Sequence, residues 1–258
     1  MKTVILAGGR GTRIAEEGSK LPKPMVTIGG QPILWHILKY YSHFGHNEFI
    51  ICCGYLGSII KEYFANYYLH RSDITFDFTD NNKVEIHSNF AERWKVTLVD
   101  TGLDSQTGGR IKRIQRYVKN EPFFLTYGDG VSNIDLNKLL KFHQDSNVSV
   151  TISAVQPGGR YGMLDFNEND KLIGFREKAK DDGGWINAGF MIAESDIFNY
   201  LDGDDCILER LPFEKLSSEG KMAAYKHFDY WQCMDTQRDR IFLEERWREG
   251  NALWKVWD

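Results

Sequence analysis

Two kinds of hydrophobic spacing alternate along the first half of this chain. Residues 3–7 form a short, nearly continuous apolar run, the pattern of a strand buried on both faces. In residues 32–44, Ile33, Leu34, Ile37, Leu38 and Tyr41 instead recur at helical spacing. The pair then repeats. An apolar run at 49–53 precedes 57–69, where Ile60, Tyr63, Phe64 and Tyr67 share one helical face. A run at 96–99 precedes a turn-rich stretch at 101–109 and a basic helix near 110–118. A run at 123–127 precedes a helix over 134–143. This order predicts an α/β fold with a mixed, mainly parallel sheet flanked by helices.

The second half changes rhythm. Strands are predicted at 148–155, 163–166, 171–175 and 186–192 without regular helices between them. Asn167-Glu168-Asn169-Asp170 has hairpin-turn chemistry. A further apolar-rich strand is predicted at 230–234, and helices at 197–201, 207–218 and 238–249. No repeat, low-complexity tract or linker interrupts the chain, so residues 1–258 read as one domain. Its C-terminal part would cap a site or join subunits. Trp247, Trp254 and Trp257 would pack into a core or against a partner subunit.

Composition narrows the classes. A chain of 258 residues with formal charge −4 buries a substantial core and has no general attraction for nucleic acid or anionic membrane. Charge resumes at Arg10, which argues against a secretory signal, and the uncharged run at 49–60 is too short and glycine-broken to span a bilayer. Cys52, Cys53, Cys206 and Cys233 lack metal-type spacing. A reduced, cytoplasmic compartment fits them, with Cys52-Cys53 serving as small hydrophobes. His36, His43 and His46 fit a helix and its end better than a zinc site.

The first strand runs through Leu6 and Ala7 into Gly8-Gly9-Arg10-Gly11-Thr12-Arg13, and Pro22-Lys23-Pro24 follows closely. Glycines let backbone amides approach a bulky anion, and Arg13 and Lys23 can neutralise charge that amides cannot. The loop reads as a phosphate cradle; the alternative is a tight turn beside solvated cations. It matches neither commoner template. A dinucleotide fingerprint needs glycine at 14, where the chain has Ile14, and a P-loop needs glycine and lysine at 13 and 14.

Two aspartates extend the picture. Asp129 follows the 123–127 run between Gly128 and Gly130, where ligands of open α/β sheets bind. Asp235 follows the strand at 230–234, and alone it could equally cap the next helix. Converging without a cation, the two would repel by up to ~4 kcal/mol at about 4 Å and an effective dielectric near 20. Mg²⁺, held by one or two carboxylates with phosphates and water, would remove that penalty. Thr107-Gly108-Gly109-Arg110 is a second glycine turn, either a plain helix start or a set of amides open to an acceptor or anion. Glu177-Lys178 is either a surface ion pair or a reader of sugar hydroxyls and phosphate. Asn187, polar within an apolar run, needs partners if buried. The Arg160-Tyr161-Gly162 segment either closes over a ligand or is an ordinary turn.

These motifs, in this order, resemble those of the sugar-1-phosphate nucleotidyltransferases. The likeness runs through the whole chain, from the first glycine loop through Tyr127-Gly128-Asp129-Gly130, Phe175-Arg176-Glu177-Lys178 and Gly184-Trp185-Ile186-Asn187-Ala188-Gly189 to Met234-Asp235-Thr236. It implies a Rossmann-like nucleotidyltransferase fold, with a sugar 1-phosphate attacking the α-phosphorus of a nucleoside triphosphate and releasing pyrophosphate. By that resemblance Arg13, Lys23 and Asp129 are catalytic, and Asp129 and Asp235 bind Mg²⁺. Leu6, Ala7, Gly8, Gly9, Gly11, Thr12, Arg13, Lys23, Ser105, Thr107, Gly108, Gly109, Arg110 and Gly128 bind nucleotide. Tyr161, Gly162, Glu177, Lys178 and Asn187 hold the sugar phosphate, and the protein forms a homo-oligomer.

Ile51-Cys52-Cys53-Gly54-Tyr55, Thr97-Leu98-Val99-Asp100-Thr101-Gly102 and Trp254-Lys255-Val256-Trp257 point to the branch that uses CTP and α-D-glucose 1-phosphate. Two residues depart from the pattern: Ala179 stands where many relatives have proline, and Ala188 where this branch tends to have glycine. UTP or dTTP, or another sugar 1-phosphate, are the enzymatic rivals. A non-catalytic nucleotide-sugar-binding regulator would tolerate loss of Lys23, Asp129 or Asp235, and all three are present.

Overall fold

The computed structural model describes residues 1–11, 21–156 and 184–258, with the backbone of two strands at 163–166 and 172–176. β1 (Lys2–Leu6) leads past the short pair β2 (Thr27–Ile28) and β3 (Gln31–Pro32) into α1 (Ile33–His43). β4 (Glu48–Cys53) and α2 (Gly57–Ala65) repeat the unit. A hairpin, β5 (Ser72–Asp77) and β6 (Lys83–Asn89), then precedes β7 (Lys95–Asp100). α3 (Thr107–Arg113) and α4 (Gln115–Val118) lead to β8 (Phe123–Tyr127), β9 (Gly130–Ser132) and α5 (Leu136–Ser146). Next come β10 (Val150–Val155), the antiparallel pair β11 (Met163–Phe166) and β12 (Leu172–Arg176), and β13 (Ile186–Ala193). α6 (Leu211–Ser218), β14 (Met222–Lys226), β15 (Trp231–Cys233) and α7 (Gln237–Arg248) complete the order.

Seven strands form the central sheet in the order β14-β10-β13-β8-β1-β4-β7. The β8-β1-β4-β7 half is parallel throughout, and β13 alone runs against its neighbours β8 and β10. Continuous apolar strands are what a sheet covered on both faces requires. Ile5, Phe49, Ile51 and Phe124 face a core closed by α1, α2, α5 and α7, whereas Val4, Ile50, Phe123 and Leu125 face Ile111, Ile114, Phe198 and Leu216. The strand order, not the strand direction, reverses about β1: β4 and β7 are added on one side of it and β8 on the other, all parallel. That switch point opens a crevice at the carboxyl ends of the strands.

The C-terminal tryptophans belong to this chain's own core. Trp254 and Trp257 are buried, and the His36 ring packs edge-on against Trp35, Trp247 and Trp254. His36 Nε2 lies 2.9 Å from the Ile28 carbonyl, and Trp254 Nε1 donates to His36 Nδ1 at 3.4 Å. Those partners require the neutral Nε2–H tautomer, and burial lowers the His36 pKa to about 4.

Several elements differ from expectation. The basic helix breaks at Ile114 into α3 and α4. The helix expected at 197–201 is a 3-10 segment, Ser195–Tyr200. The one expected from 207 starts at Leu211, where Pro212 in the first turn suits a helix start. The β5–β6 hairpin was not anticipated, and its alternating Phe76, Val84 and Ile86 stay exposed. The turn expected at 167–170 lies outside the described residues, although β11 and β12 do pair. Among the described residues no helix is long and apolar enough to cross a membrane.

Candidate active site

Leu6 ends β1 and Ala7 follows it, both still held at the sheet: Gly128 N donates to Leu6 O at 3.0 Å and Ala7 N to Cys52 O at 3.1 Å. The chain then leaves as the glycine loop. Gly11 has φ +58, and a Cβ there would sit 2.9 Å from the Lys23 Cβ, so glycine brings loop and lysine together. A Cβ on Gly128 would meet Pro24 and Leu6 O at 3.0 and 3.1 Å. The result is a cavity of ≈ 340 Å³ at the switch point. Its walls combine Leu6, Ala7, Gly8, Gly9, Gly11, Lys23 and Pro24 with Ser105, Gln106, Thr107 and Arg110, and with Tyr127, Gly128, Asp129 and Asp235.

Asp129 and Asp235 meet through a pairing outside the main sheet. β15 runs antiparallel to β9 with Cys233 opposite Gly130, and Met234 N donates to Asp129 O at 2.8 Å. Thr236, not Asp235, caps α7: Asp239 N donates to Thr236 Oγ1 at 3.2 Å and Thr236 N to Asp239 Oδ2 at 2.8 Å. The Asp235 carboxylate turns instead to Lys23. Lys23 Nζ lies 2.6 Å from Asp129 Oδ2 and 2.5 Å from Asp235 Oδ1. Burial opposes the lysine charge, but the two carboxylates outweigh it and hold its pKa above the ordinary value.

Both carboxylates therefore already converge on one cation. Among the described residues no group of three or more His, Cys, Asp or Glu side chains is placed to hold a metal. A two-carboxylate site suits Mg²⁺ when phosphate and water supply the remaining oxygens, so the donor set fits a triphosphate-bound cation rather than a closed protein cage.

The second glycine turn works differently from the expectation of open amides. Gly108 N and Gly109 N both donate to Cys206 O, at 2.8 and 3.2 Å, and Gln106 N donates to Asp204 O at 2.7 Å. A Cβ on Gly109 would lie 2.7 Å from Asp204 Cα, and one on Gly108 2.8 Å from Cys206 O. These glycines let residues 203–206 brace the turn from behind and do not line the cavity. Ser105 and Thr107 do line it, and each is anchored from the same side. Ser105 Oγ donates to Asp204 Oδ1 at 3.1 Å, and Thr107 Oγ1 to Glu209 Oε2 at 2.7 Å. Tyr127 OH also donates to Glu209. Arg113 adds a two-pronged contact to Asp204 at 2.7 and 2.5 Å.

Arg110 lines the cavity, yet its donors point at the backbone. Nη1 donates to Gly102 O at 2.7 Å, Thr101 Oγ1 at 2.9 Å and Cys53 O at 3.4 Å, and Nη2 to Leu103 O at 3.3 Å. Burial lowers its pKa, and Asp100 and Asp204 partly offset that. Cβ atoms built on Gly8 and Gly54 would fall 2.2 and 2.4 Å from Nη1, so both backbones rest directly on the guanidinium. Asn187, on β13, is not itself a lining residue; its Oδ1 accepts from Gly189 N at 2.8 Å, and its side chain also hydrogen-bonds Tyr127, which does line the cavity. Thr12, Arg13, Tyr161, Gly162, Glu177 and Lys178 lie outside the described residues.

Sequence reasoning passed over Gln106, Asp204 and Glu209, and quoted Tyr127 within a motif without giving it a role. The Thr236-x-x-Asp239 capping box was legible, and would have released Asp235 from the cap role in advance.

Comparison with known proteins places the chain. Residues 2–235 match the family described as Nucleotidyl transferase. The chain is 49% identical over 259 residues to the glucose-1-phosphate cytidylyltransferase of Salmonella typhimurium, covering 100% of both. It is 39% identical over 258 residues to the probable glucose-1-phosphate cytidylyltransferase of Bacillus subtilis, again covering 100% of both. Among solved structures, HddC from Yersinia pseudotuberculosis complexed with GMP-PN superposes with TM-score 0.69 at 25% identity, over 95% of this chain and 99% of that one. A UDP-glucose pyrophosphorylase complexed with UDP-glucose shares the fold at TM-score 0.69 and 16% identity, over 96% and 98%. The glycine loop at the switch point and the full-length matches lead to one conclusion: this chain belongs to the nucleotidyl transferase family.

Proposed function

We propose that the protein transfers a cytidylyl group from CTP to α-D-glucose 1-phosphate, giving CDP-glucose and pyrophosphate. The observation that carries the transferase chemistry is the meeting of glycine loop, Lys23, Asp129 and Asp235 in one cavity. The choice of cytosine and glucose rests on the full-length likeness to the Salmonella enzyme.

The sugar phosphate attacks the α-phosphorus through an oxygen that is already anionic, so the step needs no general base. What the protein must supply is alignment of two mutually repelling anions and stabilisation of the charge on the transferring group. Lys23 neutralises phosphate oxygens near the reacting centre, and Arg13 clamps the triphosphate. Gly8, Gly9, Gly11 and Thr12 offer backbone and hydroxyl contacts to the phosphates. Ser105, Thr107 and Gly128 complete the nucleotide side over the frame that Gly108, Gly109 and Arg110 hold in place. Tyr161, Gly162, Glu177, Lys178 and Asn187 take the sugar phosphate. Asp129 and Asp235 would hold Mg²⁺, which when bound offsets the triphosphate charge and favours departure of pyrophosphate. Assembly as a homo-oligomer belongs to the same reading, and light scattering on the purified protein tests it.

The deciding assay is pyrophosphate release with Mg²⁺, crossing CTP, UTP, dTTP, ATP and GTP against several sugar 1-phosphates. Release with CTP plus glucose 1-phosphate alone, with CDP-glucose as product, is expected. Another productive pair would replace the substrate and keep the mechanism. No release from folded, nucleotide-binding protein would favour a regulatory role.

A further inference from the structure

Lys23 stands where a divalent cation would have to go. Its ammonium bridges Asp129 Oδ2 and Asp235 Oδ1 at 2.6 and 2.5 Å. Its side chain is 14% exposed, less than that of either carboxylate. The backbone beneath it is stiff: Pro22 and Pro24 flank it, and Val26 N closes the turn on Lys23 O at 3.1 Å. Departure of the ammonium therefore requires side-chain rotation alone, about four single bonds, with no movement of the glycine loop. A lysine ammonium and a divalent cation cannot share the same pair of oxygens, because their charges repel at contact distance.

We propose that Lys23 is an exchangeable counterion: in the substrate-free protein it closes the Asp129–Asp235 site to divalent metal, and the triphosphate opens the site by drawing the ammonium onto phosphate. This rests on the assignment of the two aspartates to metal made above. The exchange keeps the carboxylates neutralised at every stage, so they are never left facing each other unpaired. It also makes metal and nucleotide binding reciprocal. Metal alone must displace an ion-paired lysine, whereas metal arriving with the triphosphate meets carboxylates whose lysine has a new partner. By linkage each ligand then tightens the other.

The test contains no substrate. Mn²⁺ alone is titrated into nucleotide-free protein and followed calorimetrically or by electron paramagnetic resonance. Lys23→Met is expected to bind Mn²⁺ about tenfold to a hundredfold more tightly than wild type, the range implied by displacing charge-assisted hydrogen bonds. Lys23→Arg, which keeps a cation between the carboxylates, is expected to stay weak, and Asp235→Asn added to Lys23→Met is expected to remove the gain. Mn²⁺ binding by Lys23→Met no tighter than by wild type would overturn the proposal. Should Lys23→Met fail to fold, the wild type decides through limited acetylation read by peptide mass spectrometry. Saturating Mn²⁺ is then expected to raise labelling of Lys23 several-fold relative to Lys112, and unchanged labelling overturns the exchange. Failure of the transferase reading is separable: a protein inactive with every substrate pair that still shows the Lys23→Met gain retains the exchange.

Discussion

Arg110→Met asks whether one buried guanidinium holds three strand ends in register beneath the glycine loop. The substitution keeps most of the apolar stem and deletes four hydrogen bonds, to Cys53 O, Thr101 Oγ1, Gly102 O and Leu103 O. The four losses are unequal. Cys53 O still accepts from Thr101 N at 2.9 Å and Thr101 Oγ1 at 2.7 Å. Leu103 lies at the surface, where water can replace the missing donor. Gly102 O loses its short 2.7 Å partner in a half-buried position. Adding that orphaned carbonyl to the lost charge-assisted bonds, and subtracting the relief of burying no charge, leaves about 2–4 kcal/mol. In a chain of this size that corresponds to a fall in Tm of roughly 5–15 °C.

The same substitution should weaken nucleotide binding, because Gly8 and Gly54 rest on the guanidinium. Calorimetry is expected to show CTP affinity reduced by about tenfold, the loss of roughly one positioning contact. Arg110→Lys separates scaffold from field. A lysine restores charge but not the planar fork, so a scaffold role leaves Tm and affinity low. A role through charge alone would have lysine recover both. Arg110→Met with a Tm within about 1 °C of wild type and unchanged CTP affinity would refute the reasoning.

Gly109→Ala drives a methyl into Asp204 Cα and O, both 2.7 Å from the ideal Cβ. Overpacking against backbone should cost about 1–3 kcal/mol, read as a lower urea midpoint. Lys23→Ala and Asp129→Asn are each expected to reduce kcat by about a hundredfold or more with unchanged far-ultraviolet circular dichroism; near-normal turnover in either removes that residue's role. Exhaustive chelation should abolish turnover and added Mg²⁺ restore it, while full activity after chelation sinks the metal assignment. His36 titrates at an ordinary value near 6.5 when unfolded and at about 4 when folded, so the unfolded state binds the extra proton. Its contribution is present above pH 6.5 and is lost progressively as pH falls toward 4, by roughly 3 kcal/mol. Urea unfolding at pH 7.5 and 4.5 should show a steeper loss in wild type than in His36→Gln, and parallel losses would contradict it.

Much of the fold was legible because its signals are local. The run at 3–7 could bury both faces only in a covered sheet, and Ile5 and Val4 do lie in opposite cores. The glycine loop and Lys23 were legible for the same reason: strand, glycines and cations are neighbours in sequence. Of the two readings of the second glycine turn, the plain helix start holds, and the choice between them was not legible because it depends on residues 203–206, nearly a hundred positions away in sequence. Nothing near Gly108 reveals that the Cys206 carbonyl would take its amide and that of Gly109. The β5–β6 hairpin escaped because its apolar positions cover no core, leaving periodicity without burial.

The position of Asp235 shows why the carboxylate pair lay at the limit of that approach. Tyr230-Trp231-Gln232-Cys233-Met234 reads as a strand, but the pattern does not choose its partner. Pairing with the main sheet would have set Asp235 by a long edge. Pairing with the three-residue β9 instead ties it to the segment that immediately follows Asp129. Hydrogen bonds at three successive residues then fix its direction. Met234 N is held by Asp129 O, Asp235 N by Asp239 Oδ2 at 3.1 Å, and Thr236 by the capping box. The helix cap thus consumes the backbone at 235 and 236 and turns the Asp235 side chain toward Lys23. A site that would trade one cation for another needs carboxylates whose separation does not depend on which cation is present. The small β9–β15 pair and the capped start of α7 supply that independence, while Lys23, on its long side chain, is the part able to move.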